Sequence, residues 1–156
     1  MIEHSEVTIG VISDTHGLLR QSAVDRLQGV DLILHAGDIC SQRIPDQLSQ
    51  IAPFYAVRGN NDPRDCGWPL RQLVTAAGDH IYMVHKISDL DIVPASCDVK
   101  IVVSGHTHQW SCREKDGVLY VDPGSIGPRR FHYPITLGFL KRKEGKWLFE
   151  VVYLES

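Results

Sequence analysis

Five times along this chain a short aliphatic run breaks off into glycine, aspartate, asparagine or histidine. Val7-Thr8-Ile9-Gly10-Val11-Ile12 gives way to Ser13-Asp14-Thr15-His16-Gly17, and Asp31-Leu32-Ile33-Leu34-His35 to Ala36-Gly37-Asp38. Phe54-Tyr55-Ala56-Val57 runs into Arg58-Gly59-Asn60-Asn61-Asp62. Ile81–Val84 stops at His85, and Val99–Val103 at Ser104-Gly105-His106-Thr107-His108. Apolar runs of this length, bounded by turn residues, read as buried strands. In a parallel sheet, ligands bind in the crevice beyond the carboxyl ends of the strands. The five polar clusters are therefore expected to meet in one place.

Between the first three strands, Gln21–Gln28 and Pro45–Ile51 read as short amphipathic helices, the second opening on a proline at its N-terminus. Strand, helix, strand, helix, strand implies right-handed crossovers and a parallel sheet. The second half changes character. A loop or helix containing Pro94 separates two of its strands, and after Gln109 the chain reads as hairpins. Asp116-Gly117 turns between Ser111–Lys115 and Val118–Val121, and Glu144-Gly145 between Thr136–Arg142 and Lys146–Tyr153. The expected fold is α/β, a two-sheet α/β/β/α sandwich with helices outside. With no repeat and no linker, residues 1–156 are read as a single domain, long enough to bury a core without staples.

Bulk properties exclude several classes of function. A formal net charge of -3, with both signs interspersed, offers no basic excess for a nucleic-acid polymer or a membrane surface. No apolar run is long enough to span a bilayer and the N-terminus does not read as a signal peptide, so a cytoplasmic location is expected. Cys40, Cys66, Cys97 and Cys112 form no CxxC pair, which argues for reduced thiols rather than a disulfide framework or zinc knuckle.

The strand-end clusters would bring together Asp14, His16, Asp38, Asn60, His85, His106 and His108. Imidazole nitrogens with carboxylate and amide oxygens suit divalent transition metals. The set holds about twice the donors that one tetrahedral ion takes. Two ions about 3.5–4 Å apart, bridged by a carboxylate and a hydroxide, would use all seven. Taken singly, each piece has an ordinary reading: Asp-x-His as a cap, Gly-Asp and Gly-Asn as turns, a strand-end histidine as a hydrogen-bonded core residue. Their order at the ends of successive strands is what argues for a metal centre. Alternation along an extended Gly-His-Thr-His segment would point His106 and His108 the same way.

These residues resemble the calcineurin-like metallophosphoesterases, in particular the small bacterial and archaeal phosphodiesterases of the YfcE type. The family signature runs Asp-x-His, Gly-Asp, Gly-Asn-x-Asp, a strand-end His and Gly-His-x-His. It is matched by Asp14/His16, Gly37-Asp38, Gly59-Asn60-Asn61-Asp62, His85 and Gly105-His106-Thr107-His108, with a Pro-Gly-Ser segment at Pro123-Gly124-Ser125. The resemblance implies Asp14, His16 and His108 on one metal, Asn60, His85 and His106 on the other, and Asp38 bridging. Asp38, Asn60 and His106 are then the catalytic residues. It implies hydrolysis of small phosphodiesters by a metal-bridging hydroxide, with two divalent ions, Mn2+ first and Fe, Ni, Co or Zn as alternatives. It also implies a small-molecule phosphoester substrate and a possible homodimer or homotetramer.

Three positions depart from the family pattern: Asn61 where many relatives have histidine, Lys86 where glycine is usual, and Asp122 where asparagine is usual. Asn61 and Lys86 are read as candidate substrate-binding residues. A different class of reading is a scaffold on the same fold, like the retromer subunit Vps29, with little or no catalysis. His35 reads as a core histidine or as a residue orienting a ligand, and Arg129 and Arg130 as solvent-facing or phosphate-holding. His4, His80 and His132 are read as surface residues, and Trp68, Trp110 and Trp147 as core or sheet-face residues.

Overall fold

The computed structural model describes residues 6–154, so His4 lies outside the described residues. Strands β1 (Val7–Ile12), β2 (Leu32–His35) and β3 (Phe54–Ala56) pair in parallel, linked through helices α1 (Gln21–Arg26) and α2 (Arg43–Leu48). Strands β4 (Arg71–Ala76), β5 (Asp79–Val84), β6 (Val99–Val103), β7 (Trp110–Lys115) and β8 (Val118–Pro123) follow, then β9 (Ile135–Lys143) and β10 (Lys146–Leu154). The first sheet has the order β10-β9-β1-β2-β3 and the second β4-β5-β6-β8-β7.

Period-two alternation decides which side chains fill the sandwich. Val7, Ile9, Val11, Leu32 and Leu34 face Ile81, Met83, Ile101 and Val103 across the gap between the sheets. The opposite face of the first sheet carries Ile12 and Ile33 against Ala23 and Leu27 of the α1 segment and Ile44 and Leu48 of α2. Gly10 lies on that face, where a Cβ would collide with Leu27. Side-chain-free backbone there lets the helix sit close on the strand.

The two-sheet sandwich is as the sequence leads one to expect, with a thin outer layer on the second sheet. There, two 3-10 turns, Ile87–Asp89 and Pro94–Cys97, cover Val99, Val102 and Val118 with Leu90 and Ile92. Both helices are shorter than the periodicity suggests. The first stops at Arg26 before the left-handed Gly29, and the second begins at Arg43 and ends at Leu48. Strand β4 is an addition. It pairs antiparallel with β5 across an Ala77-Gly78 turn in which both residues have positive φ. The hairpin region is not purely antiparallel either, because β8 lies parallel to β6. Six parallel strands therefore end at one rim: β1, β2 and β3 in the first sheet, β5, β6 and β8 in the second. No helix among the described residues is long and apolar enough to cross a membrane.

Candidate metal centre

All seven candidate ligands lie at that rim, in two groups. Asp14, His16 and His108 offer one donor atom each within 4.8 Å of one another, and so do Asp38, His85 and His106. Asn60 Oδ1 is 3.0 Å from His85 Nε2, which places it with the second group. Asp38 faces both, its Oδ2 lying 3.6 Å from His16 Nε2 and 3.3 Å from His85 Nε2.

Local backbone conformation aims these side chains. Asp14, His16, Asp38, His106 and His108 all have positive φ, between 46° and 76°. Non-glycine residues take this region at a cost of order 1–3 kcal/mol each, and such residues gather where function requires a strained geometry. This corrects the strand alternation expected for Gly-His-Thr-His. Strand β6 ends at Val103, and the two histidines sit in an irregular loop and part toward different groups.

Tight packing between loops explains the glycines. A Cβ on Gly37 would come within 2.6 Å of His85 Nδ1, one on Gly59 would collide with Asp38, and one on Gly105 with Ser13. Asp62, to which sequence reasoning gave no role beyond the motif, ties two of these loops together. Its carboxylate accepts from the N–H groups of Asp38, Ile39, Cys40 and Gly59, all at 2.9 Å. Nothing in composition or periodicity singles it out; the fixed spacing in Gly-Asn-x-Asp was the available signal.

His35 proves to be both a core residue and an orienting one. Fully buried, its Nδ1 accepts from the Gly37 N–H (3.0 Å), while its Nε2 meets Thr15 Oγ1 at 3.0 Å. Thr15 Oγ1 donates onward to the Ile39 carbonyl (3.0 Å). Burial pushes the His35 pKa down to about 4, so the ring is neutral near pH 7 and bridges the Asp14 and Asp38 loops. On the second sheet, Asp122 holds Thr107 Oγ1 (2.8 Å) and the Gly124 N–H (2.9 Å), and burial pushes its carboxyl up to about 6.

The electrostatics call for cations. Among the described residues, three buried side-chain polar atoms lack a hydrogen-bond partner: Asp14 Oδ1, His16 Nε2 and His108 Nδ1. All three belong to the first group, and orphaned buried polar atoms of this kind call for a functional explanation. In the second group, His85 Nδ1 donates to the Ala36 carbonyl at 2.7 Å, turning Nε2 toward Asn60 Oδ1 and Asp38 Oδ2. Two oxygens then face one nitrogen lone pair, an arrangement that needs a proton or a cation between them. Without a cation, protons serve. Burial disfavours charge on His85, but Asp38 and Asp14 outweigh it and hold its pKa above the ordinary value. His16 is likewise raised, by Asp14 above all, with burial and the charge of Arg130 opposing. Burial alone would raise the Asp14 carboxyl; contacts with His108, His16 and Ser13 hold it far below the usual range. The donor chemistry and the orphaned atoms fit two divalent ions.

The candidate substrate residues flank the centre. Asn61 donates to Asp38 through its backbone N–H (2.8 Å) and its side-chain amide (3.0 Å). Lys86 is half-buried beside His85, and its charge reaches His106, whose pKa burial, His85 and Lys86 lower. Arg130 is exposed, yet near enough to be felt at His16. Arg129 donates to the Tyr133 carbonyl on the same exposed loop. His80 meets Thr75 on the surface and His132 is exposed. Trp68 packs edge-on against Phe54, Trp147 bonds to Asp79, and Trp110 bonds to Tyr153 Oη, all against strands.

Known proteins resemble the chain in sequence and in fold. A probable metallophosphoesterase from Methanothermobacter thermautotrophicus is 34% identical over 131 residues, covering 75% of this chain and 76% of that protein. A structure described as a novel archaeal phosphodiesterase superposes with a TM-score of 0.80 at 24% identity, over 94% of this chain and 99% of its own. Vacuolar protein sorting 29 from Cryptosporidium parvum shares the fold, with a TM-score of 0.74 at 20% identity over 97% and 99% of the two chains. The calcineurin-like phosphoesterase superfamily domain matches residues 7–145, and the chain belongs to that superfamily.

Proposed function

We propose that this protein is a two-metal phosphodiesterase acting on small anionic phosphodiesters. Asp14, His16 and His108 would hold one divalent ion, Asn60, His85 and His106 the other, and Asp38 both. Manganese is the first choice, with iron, nickel, cobalt or zinc fitting the same donors. The observation that carries the reading is the convergence of two donor groups, one with unpartnered buried atoms on Asp14 and His16 and the other with Asn60 Oδ1 and Asp38 Oδ2 both facing His85 Nε2. When bound, the ions supply Lewis acidity that acidifies water and neutralises charge on phosphoryl oxygens.

The chain's own residues set the rest. Asp14 and Asp38 are the only anionic donors, so two dications leave the site net positive and attractive to an anionic ester. His85 is held by the Ala36 carbonyl, and His106 N–H donates to Asp14 Oδ2 at 3.0 Å, so the donors are oriented in advance. Asn61 bonds to Asp38 through an amide that cannot deliver a proton at ordinary pH. Leaving groups must then depart without acid help from that position, which favours aryl over alkyl esters. A scaffold would have no physical need for seven converging donors.

The test is a panel of aryl and alkyl phosphodiesters and monoesters against several added metals, with Asp38→Asn as control. Metal-dependent cleavage of aryl diesters, lost in Asp38→Asn, is expected. Metal binding without cleavage of any diester would favour the scaffold.

A further inference from the structure

A cavity of about 250 Å³ opens directly beside Asn60 and His85. Its wall carries Arg58, Arg64 and Lys86. None of the three forms an ion pair among the described residues. Arg58 Nη1 donates to the Arg64 carbonyl at 3.2 Å, which links two of them and leaves most of the guanidinium fork open. Lys86 follows His85 at the head of a 3-10 turn, fixed by the Asp89 N–H returning to its carbonyl at 2.9 Å. Two carboxylates share the cavity. That of Asp62 is turned toward four backbone amides, and with Asp89 it leaves three cations facing two anions.

This is a local reversal in a chain of net charge -3. Like charges gathered in a concavity repel one another more strongly than on an open face, because the walls exclude solvent. An anion removes that repulsion. The volume equals that of about eight liquid waters, enough for a phosphoryl group. Guanidinium forks match phosphate oxygens two at a time, and an ammonium adds a point charge.

We propose that this cavity receives a second phosphate of the substrate, so that the enzyme selects small phosphodiesters bearing an additional phosphoryl group. The inference rests on the two-metal reading: one phosphate lies at the metal centre while Arg58, Arg64 and Lys86 hold the other. Anchoring the second phosphate fixes which ester bond is presented for cleavage.

Calorimetry on manganese-loaded protein compares propylene diphosphonate with propylphosphonate, neither of which can be hydrolysed. The diphosphonate is expected to bind about tenfold tighter or more. Arg64→Ala and Lys86→Ala should each remove most of that advantage, and Arg64→Lys should restore part of it. Equal affinities in the wild type would overturn the proposal, as would an advantage untouched by both alanine variants. Because no turnover is involved, this result stands even if the protein cleaves no diester, so the two readings fail separately. Methylating the distal phosphonate distinguishes two sources of the same chemistry. Loss of the advantage supports a terminal phosphate, and retention supports the next linkage of an oligonucleotide.

Discussion

The loops of the first sheet deliver every oxygen donor of the candidate centre: Asp14 after β1, Asp38 after β2 and Asn60 after β3. Those of the second sheet deliver imidazoles alone, His85 after β5 and His106 and His108 after β6. Their bracing differs as much as their chemistry. Backbone hydrogen bonds from Asp14 to Gly37, His16 to Asp38 and Gly17 to Ile39, together with the four accepted by Asp62, weld the first-sheet loops into one platform. The histidine loop of the second sheet has fewer ties: Thr107 on Asp122, the Ser104 and Gly105 N–H groups on the Val121 and His85 carbonyls, and the His106 backbone N–H on Asp14 Oδ2. Each donor group draws on both sheets, so bound ions would rivet a rigid platform to a more lightly held arm.

The largest expected effect lies at the residue facing both groups. Asp38→Asn should lower kcat by more than about 100-fold, since losses at residues that merely support ligands already reach that size. Retained activity would remove Asp38 from the centre. Next comes the platform. Asp62→Ala leaves four backbone N–H groups without an acceptor, and the denaturant midpoint should fall by an amount equivalent to about 3 kcal/mol or more. Thr107→Val on the arm removes one bond from the buried Asp122 carboxyl and should cost less, about 1–2 kcal/mol, in the same measurement. Equal losses would break the contrast between the sheets.

Acid should act in opposite directions through His35 of the first sheet and Asp122 of the second. Between about pH 4 and 6.5, unfolded His35 holds a proton that the native ring lacks, so stability is lost as the pH falls. Between 3.8 and about 6, native Asp122 holds a proton that the unfolded chain has released, so stability is gained as the pH falls. Each contribution is on the order of 2–3 kcal/mol, and in wild-type protein without metal they largely cancel. Denaturation curves across that range should lose stability in acid for Asp122→Asn and gain it for His35→Gln. Parallel profiles for the two variants would refute the assignment. A further effect concerns metal retention. Thr107→Val frees the histidine loop and should weaken metal affinity about 10–100-fold.

Much of this arrangement is legible in the sequence because strand ends and glycines mark it: every donor group follows an apolar run, and Gly37, Gly59 and Gly105 stand where loops touch. What escapes is long-range. Asp62 acts through four amides, three of them more than 20 residues away, and no local pattern encodes that. Strand β4 escapes because, as an edge strand, it is only partly buried, with Leu73 53% exposed; the Ala77-Gly78 turn was its one local signal. The parallel pairing of β8 with β6 escapes because hairpin turns specify only the neighbour across the turn. The cationic cavity escapes because Lys86, after β5, meets Arg58 and Arg64 of the β3–β4 loop only through the fold, and a net charge summed over the chain does not show where its cations gather.

The central claim is that two ions sit side by side, each held from both sheets. Elemental analysis of protein saturated with manganese and freed of excess metal tests it directly, with His106→Ala and His108→Ala run alongside. Two ions per chain in the wild type and one in each variant is the predicted result. A single ion in the wild type, or two retained in both variants, would contradict it.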